Sequence, residues 1–364
     1  MRDRSTMDEL RVAVVGVGRM GLTHAENLAR RVHGARLVAV TTSSAERADE
    51  VRRRCGAVSI YEQIDHLLEA ERLDAVVISS STSAHVDNVE RCAAAGLHVL
   101  CEKPLALDLK GCRQAARSAQ SAGVKLMLGH VRRFDNGYQD AKKMIESGAI
   151  GRPLIYRSIS GDVNPPPPEF ADVCVSGGLI LDSMYHDIYI GRWLMDDEVT
   201  RVFGEGSALV DDAVGAVGDV DNAVVCVRFE GGAMGTLTAS RTTRYGHDLR
   251  GEVIGEEGAV QIGRLRRTPV RLLDRSGVHH DAVFTTPERM GDAFVTMLQV
   301  FVDCVNEDLD PPVGVEDGLT TLAVALAGRE SIQTGRPVTV SEILNSTSEL
   351  GTDRSVSIHV GTTR

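Results

Sequence analysis

The chain has 364 residues, of which 43% are hydrophobic and 25% are charged, a globular composition that excludes a disordered, collagen-like or coiled-coil protein. Lys and Arg number 40 against 51 Asp and Glu, and the net charge of −11 argues against nucleic acid or an anionic membrane as partner. No apolar stretch approaches the ~20 residues that span a bilayer. The N-terminus has no apolar segment before the first predicted strand, so we expect a cytoplasmic protein of about two domains.

Apolar, strand-like runs alternate with segments of helical spacing in the first 130 residues. This alternation predicts βαβ units around a parallel sheet that is buried on both faces. The predicted strands are Arg11–Val15, Leu37–Val40, Ala75–Ser79, His98–Cys101 and Lys125–Gly129. The predicted helices between them are Gly21–Arg30, Ala45–Cys55, His85–Ala95 and Leu109–Ala122.

A glycine motif, Gly16-x-Gly18-x-x-Gly21, joins the first strand to the first helix. The first glycine permits a tight turn, the second lets the backbone approach a pyrophosphate, and the third lets the helix pack close to the strand. The helix N-terminus then faces the phosphates with free N–H groups. We predict a Rossmann dinucleotide-binding domain over residues 8–130, with Arg19 and Met20 of the turn also binding the cofactor. The alternative is a plain βα turn without a ligand.

The end of the second strand bears on the choice of cofactor. An acidic residue there normally holds the ribose hydroxyls of NAD, but this strand continues into Thr42 and Ser43. Small hydroxyl side chains leave room for a 2′-phosphate, and Arg47 supplies a charge for it. The sequence therefore favours NADP over NAD. Alternatively, Ser44 only caps the following helix and NAD binds without the usual acid.

The pattern changes after about residue 150, where strand-like segments follow one another without intervening helices. We predict a second, α+β domain over residues 131–345 with a large, mostly antiparallel open sheet, and a polar tail over residues 346–364. The predicted strands are Leu154–Ser160, Arg201–Ala208, Ala223–Phe229, Met234–Arg241, Leu249–Gly255 and Gly258–Gly263. The predicted helices are Asp292–Asn306 and Val315–Thr334, and the proline run Pro165–Pro168 marks an extended loop.

Asp182 and His186 stand four residues apart in a segment of helical spacing. Side chains at this spacing share a helix face, so a carboxylate and an imidazole converge on one small molecule. A histidine suits general base catalysis near neutral pH, and the carboxylate orients its ring. The alternative is a solvated Asp–His pair. No His or Cys cluster has the spacing of a metal site, so we expect no metal.

Taken together, these motifs resemble the glucose–fructose oxidoreductase / inositol dehydrogenase (Gfo/Idh/MocA) family, and most of all its inositol 2-dehydrogenase branch. The resemblance extends from about residue 10 to residue 340. The segments that carry it are Gly16–Gly21 with His24-Ala25-Glu26-Asn27, Glu102-Lys103-Pro104, Arg132-Arg133-Phe134-Asp135, Gly177-Gly178 with Asp182 and His186-Asp187, and Ser240–Arg250.

The resemblance implies roles for several residues. Lys103 contacts the reacting hydroxyl, Glu102 and Lys103 lie at the cofactor, and the bond before Pro104 is cis. Thr82 and His85 fall where the family has residues near the nicotinamide ribose. Arg133 and Tyr245 match positions that face the substrate.

One departure from the family concerns the substrate. Where the inositol branch has a substrate-facing His followed by Arg, this chain has Ser160-Gly161. The candidate replacements are Ser160, Asp162 and Asn164. A related cyclitol, a keto-inositol or a monosaccharide is therefore as open as myo-inositol.

The resulting hypothesis is an NAD(P)-dependent dehydrogenase that oxidises a secondary hydroxyl of a cyclitol or sugar, or reduces the corresponding ketone. Lys103, Asp182 and His186 are its predicted catalytic residues. The alternatives are an enzyme on the same scaffold that eliminates or hydrolyses a glycoside through transient oxidation, a ketoreductase of sugar biosynthesis, and a nucleotide-binding regulator without turnover. The family commonly forms dimers or tetramers, so the resemblance implies a homo-oligomer.

Overall fold

The structure, a computed structural model, describes residues 9–166, 170, 172–263 and 266–345. The chain divides into two units. The first comprises the chain up to Asp135 together with Met290–Leu319, and the second comprises Asn136–Arg289 and the chain from Thr320 onwards. The predicted division at 8–130 and 131–345 stays a prediction. The predicted tail, 346–364, and the last two prolines of the run lie outside the described residues.

The first unit is built on a parallel sheet. Its strands are β1 (Leu10–Val15), β2 (Ala35–Thr41), β3 (Ser59–Tyr61), β4 (Ala75–Ile78), β5 (His98–Glu102) and β6 (Leu126–Gly129). All neighbouring strands are parallel, in the order β3-β2-β1-β4-β5-β6. The centre of the sheet is fully buried, since all four residues of β4 have no exposed surface. This confirms the predicted Rossmann sheet, because strands buried on both faces read as continuous apolar runs.

The helices of this part of the chain follow the strands as the sequence predicts. They are α1 (Arg19–Arg30), α2 (Ala45–Cys55), α3 (Ile64–Ala70), α4 (His85–Ala94) and α5 (Leu109–Ala122), with short 3₁₀ turns at Thr82–Ala84 and Val131–Phe134. Asp108 starts α5 by accepting a hydrogen bond from the N–H of Gly111 at 2.7 Å. Gly123 ends it in the left-handed conformation, a common way to stop a helix.

The second unit contains a seven-stranded sheet. Its strands are β7 (Pro153–Gly161), β8 (Val199–Ser207), β9 (Asn222–Phe229), β10 (Met234–Ser240), β11 (Asp248–Gly255) and β12 (Ala259–Gly263), with β13 (Arg271–Asp274) and β14 (Gly277–His280) in a separate hairpin and β15 (Val338–Thr339) at the edge. The order is β12-β11-β7-β10-β9-β8-β15, and only β7 and β10 pair in parallel. The expected mostly antiparallel sheet is therefore present.

Seven further helices and a π-helical turn lie in the described part of the chain. They are α6 (Asn136–Glu146), α7 (Val173–Ser176), a π-helical turn (Ile180–Met184), α8 (Tyr185–Met195), α9 (Asp212–Ala216), α10 (Thr286–Asn306), α11 (Val315–Thr334) and α12 (Val340–Asn345). Within the described residues, no helix is both long and apolar enough to cross a bilayer.

Candidate functional site

The glycine turn between β1 and α1 has the geometry that its three glycines require. Gly16 has φ +87°, and a Cβ on it would lie 2.7 Å from Cα of Ser80, so only glycine fits. A Cβ on Gly21 would collide with the carbonyl oxygen of Gly16. A Cβ on Gly18 would meet nothing within 4 Å, and Gly18 directly precedes the first residue of α1. The turn therefore leaves open backbone beside a helix N-terminus, which suits a phosphate.

The end of β2 supports this turn. Thr41 accepts a hydrogen bond from the N–H of Gly16 on Oγ1 at 2.9 Å. Beyond it, Thr42 is half-buried and Ser43 is exposed. Ser44 accepts the N–H of Arg47 and caps α2 at 3.3 Å. The guanidinium of Arg47 lies 2.7 Å from Glu50, so its charge is shared with a carboxylate of the same helix.

His85 is the first residue of α4, and its ring contacts the segments that follow β4 and β5. Its side chain is buried, with Nδ1 2.8 Å from the carbonyl oxygen of Pro104 and Nε2 3.2 Å from that of Ser80. Burial lowers the pKa of His85 below its ordinary value. The bond between Lys103 and Pro104 is cis, as the family resemblance implies. Thr82, the other predicted ribose contact, opens a 3₁₀ turn next to this loop.

Glu102, at the end of β5, is paired with His24 of α1. Nε2 of His24 lies 2.7 Å from Oε1 of Glu102, and the N–H of Lys103 donates to Oε2 at 3.3 Å. Burial alone would raise the pKa of Glu102, but the hydrogen bond from His24 and the charge of Lys103 lower it below its ordinary value. Among the sequence motifs, His24 appears only within the segment after the glycine motif, with no role assigned to it, and here it contacts the predicted catalytic segment.

In the second unit, Asp182 lies in the π-helical turn and His186 in the first turn of α8. The sequence predicted one continuous helical segment, and the wider π turn is a correction to that prediction. Such turns occur often at functional sites. Both residues are partly exposed, so each side chain is within reach of a small molecule.

Asp182 is held by a buried arginine. Nη2 of Arg241, which follows β10, lies 3.5 Å from Oδ2 of Asp182, while Nη1 lies 2.5 Å from Oδ2 of Asp219. Both oxygens of Asp219 accept the N–H of Leu179 at 3.0 Å, just before the π turn. Burial raises the pKa of Asp219, although Arg241 and this backbone N–H oppose the shift. Arg241 lies in the segment Ser240–Arg250 that carries the family resemblance, but the sequence did not predict its contact with Asp182.

The predicted substrate residues of this unit differ in their surroundings. Ser160 is buried and donates to Asp187 at 2.5 Å, whereas Tyr245 is exposed and donates to Asp248 at 3.0 Å. Asp162, one of the candidate replacements, accepts the hydroxyl of Ser183 at 3.0 Å and lies 3.2 Å from Nδ1 of His247. Asp162 is thus joined to the segment that carries Asp182.

The predicted site residues divide between the two units. The first unit carries the predicted cofactor-binding residues and, in addition, Lys103 and Arg133. The second unit carries the remaining candidates, which are Ser160, Asp182, His186 and Tyr245. Arg133 is half-buried in the 3₁₀ turn after β6. Among the residues described, no group of His, Cys, Asp and Glu is arranged to hold a metal ion.

Comparisons with known proteins match both parts of the chain. The model of the oxidoreductase family with an NAD-binding Rossmann fold matches residues 10–130, and the model of the GFO/IDH/MocA C-terminal domain matches residues 138–261.

Individual relatives are similar along nearly their whole length. The scyllo-inositol 2-dehydrogenase (NAD(+)) of Bacillus subtilis is 39% identical over 91% of this chain and 96% of its own. The myo-inositol 2-dehydrogenase of Thermotoga maritima is 37% identical over 92% of this chain and 100% of its own. The crystal structure of scyllo-inositol dehydrogenase from Lactobacillus casei with bound NAD(H) and scyllo-inositol superposes with a TM-score of 0.85 at 30% identity, covering 92% of this chain and 99% of that one.

Proposed function

The chain belongs to the Gfo/Idh/MocA family of NAD-binding oxidoreductases, and on this basis we propose that it oxidises a secondary hydroxyl of an inositol-like cyclitol, or reduces the corresponding ketone. The observation that carries the proposal is the position of Lys103. It follows β5 at the same carboxyl edge of the sheet as the glycine turn after β1, with β4 between the two strands. Ligands of such sheets bind at this edge.

The residues of the turn fit a dinucleotide. The open space beside Gly18 lets a pyrophosphate reach the backbone N–H groups at the start of α1. The cofactor supplies the hydride acceptor when it is bound. The protein contributes orientation and electrostatics.

The proposed chemistry divides among three side chains. His186 accepts the proton of the substrate hydroxyl as general base and returns it in the reverse direction. Lys103 stabilises the negative charge that develops on that oxygen. Asp182, held by Arg241, orients His186 and binds a neighbouring hydroxyl. Arg133 and Tyr245 are the proposed further substrate contacts.

The choice between NAD and NADP is also part of the proposed function. NAD is named for the relatives from Bacillus subtilis and Lactobacillus casei. The end of β2 in this chain offers hydroxyls and no carboxylate, which leaves space for a 2′-phosphate, while Arg47 already shares its charge with Glu50. We therefore expect both cofactors to be accepted, with NADP favoured.

A panel of inositols and sugars tested with each cofactor examines this function, with the absorbance of reduced nicotinamide as the readout. Net, substrate-dependent reduction of the cofactor is the expected result. Product formation without net redox change would instead indicate glycoside elimination or hydrolysis, and cofactor binding without turnover would indicate a regulator. Preferred reduction of a keto-sugar would support the ketoreductase alternative.

A further inference from the structure

We propose that His24 and Glu102 form a positioning pair that fixes the backbone of Lys103 to the phosphate-binding helix. The proposal rests on the catalytic role of Lys103 put forward above. His24 and Glu102 themselves are positioning residues, because their contacts lie within the protein.

The contact joins two elements that the chain keeps far apart. His24 is on α1, which begins at the glycine turn, and Glu102 is 78 residues further along, next to Lys103. Oε1 of Glu102 accepts from His24 at 2.7 Å, and Oε2 accepts the N–H of Lys103 at 3.3 Å. One carboxylate therefore ties α1 to the backbone from which the Lys103 side chain projects.

The surroundings of this pair leave it little freedom. His24 has no exposed side-chain surface, and the Glu102 side chain is only 12% exposed. The ring of Phe294 meets the imidazole edge to face, with centroids 5.6 Å apart. On the other side, a Cβ on Gly129 would lie 3.0 Å from Oε2 of Glu102, so the glycine at the end of β6 makes room for the carboxylate.

For Glu102, the family resemblance implies a cofactor contact, and both of its carboxylate oxygens also have partners within the protein. The 2.7 Å contact with His24 has the length of a strong hydrogen bond to a charged acceptor, and the 3.3 Å bond from the N–H of Lys103 is longer. We expect the pair to act on turnover rather than on nucleotide affinity.

Kinetics of Glu102 variants test this expectation. Glu102→Ala is expected to lower kcat by about 10- to 100-fold, since a small displacement of a catalytic group is that costly, and to change the Kd of the nucleotide by less than about threefold. Glu102→Gln is expected to recover only part of kcat, because its single amide oxygen can accept from His24 or from the N–H of Lys103 but not from both. Glu26→Gln, which alters a half-buried carboxylate on the same helix that pairs with Arg54, is the matched control.

Two results would overturn the proposal. One is a wild-type kcat in a folded Glu102→Ala variant. The other is a nucleotide Kd that rises as much as kcat falls, which would make Glu102 a cofactor contact. If Glu102→Ala does not fold, Glu102→Asp replaces it. Aspartate keeps the charge but falls short of His24, so the same loss of kcat is expected.

A second readout separates this proposal from the proposed function. Acylation of Lys103 by an amine-reactive ester, carried out on the full-length protein and followed by mass spectrometry of its peptides, requires no substrate. Glu102 fixes the backbone that carries Lys103, so the released segment in Glu102→Ala is expected to be acylated several-fold faster at Lys103 than in wild type or Glu26→Gln. Equal rates would contradict the positioning pair even if no cyclitol were ever oxidised.

Discussion

Lys103 and His186 have different roles in the proposed reaction, so replacing each one tests either charge stabilisation or proton transfer. Lys103→Ala removes charge stabilisation and His186→Ala removes the base. Each is expected to lower kcat by about 10²- to 10³-fold. Nucleotide affinity, measured by fluorescence titration, is expected to stay near wild type. Lys143→Ala, which changes an exposed lysine paired with Asp140, serves as the control. A near-normal rate for either variant would refute the role assigned to that residue.

Arg241 shows how one buried charge supports the site. It is 1% exposed and contacts both Asp182 and Asp219, so removing it leaves uncompensated negative charge. Breaking a buried pair in this way costs about 3–5 kcal/mol, so Arg241→Met is expected to lower the free energy of unfolding in urea by about 3 kcal/mol. Arg152→Met, at an exposed pair with Glu256, is expected to cost less than about 1 kcal/mol. Equal losses in the two variants would show that burial is not the cause.

His85 predicts a dependence of stability on pH. Its pKa is lowered by burial in the folded protein, so below the unfolded value of about 6.5 the unfolded chain binds the additional proton. His85 therefore does not lower the free energy of unfolding above that pH. As the pH falls from there towards the folded pKa of His85, the free energy of unfolding decreases by at most about 1.4 kcal/mol per pH unit. Urea unfolding at a series of pH values is expected to show a shallower acid loss in His85→Gln than in wild type. The exposed control His66→Gln should retain the wild-type profile.

At the scale of the element, the strand–turn–helix from β1 to α1 allows structure and binding to be separated. Gly18→Ala is expected to fold normally, because its Cβ meets nothing within 4 Å, but to weaken nucleotide binding by about tenfold or more where a phosphate approaches. Gly21→Ala is expected to lower thermal stability, because its Cβ collides with the backbone of Gly16. Calorimetry of both variants with and without nucleotide checks this contrast. Unchanged affinity in Gly18→Ala would place the phosphate elsewhere.

The sequence predicted the elements whose pattern lies within a short stretch of the chain, such as an apolar run or a glycine motif. The strands β1, β4 and β5 each contain three or four consecutive buried residues and read as apolar runs, and the Gly16–Gly21 turn is contiguous in the chain. The three-residue strand β3 and the hairpin of β13 and β14 were not predicted. β3 is too short to show a period, and every residue of the hairpin is exposed, so neither has the alternation of a half-buried strand.

Contacts between distant parts of the chain could not be predicted in the same way. The residue types at Asp182 and His186 indicated chemistry, but the link from Asp182 to Arg241 depends on how β10 packs beside the π turn. The link from His24 to Glu102 likewise depends on the sheet that brings α1 and β5 together. Both contacts are tertiary, and no spacing along the sequence encodes them.

At the scale of the whole molecule, the sheet of the second unit has one face with exposed apolar side chains. Phe203, Val224 and Met234 are 37%, 49% and 46% exposed, and the strand pairing places them on the same face. Phe203 lies opposite the exposed Cys226 and diagonal to Val224, and such neighbouring exposed apolar residues on a sheet are typical of a surface that pairs with another subunit. We propose that this face forms the contact of a homodimer or homotetramer.

Light scattering during gel filtration tests that assembly. Wild type is expected to elute with a mass of two or four chains, and Val224→Glu to shift towards the 39.2 kDa monomer, because a carboxylate buried between two apolar faces is costly. Met144→Glu, which places the same charge on the exposed surface of α6, is the matched control and should keep the wild-type mass. Dissociation of both variants, or of neither, would mean that the subunits meet through another surface. Because the predicted cofactor residues all lie in the first unit, a monomeric Val224→Glu is expected to bind nucleotide with wild-type affinity.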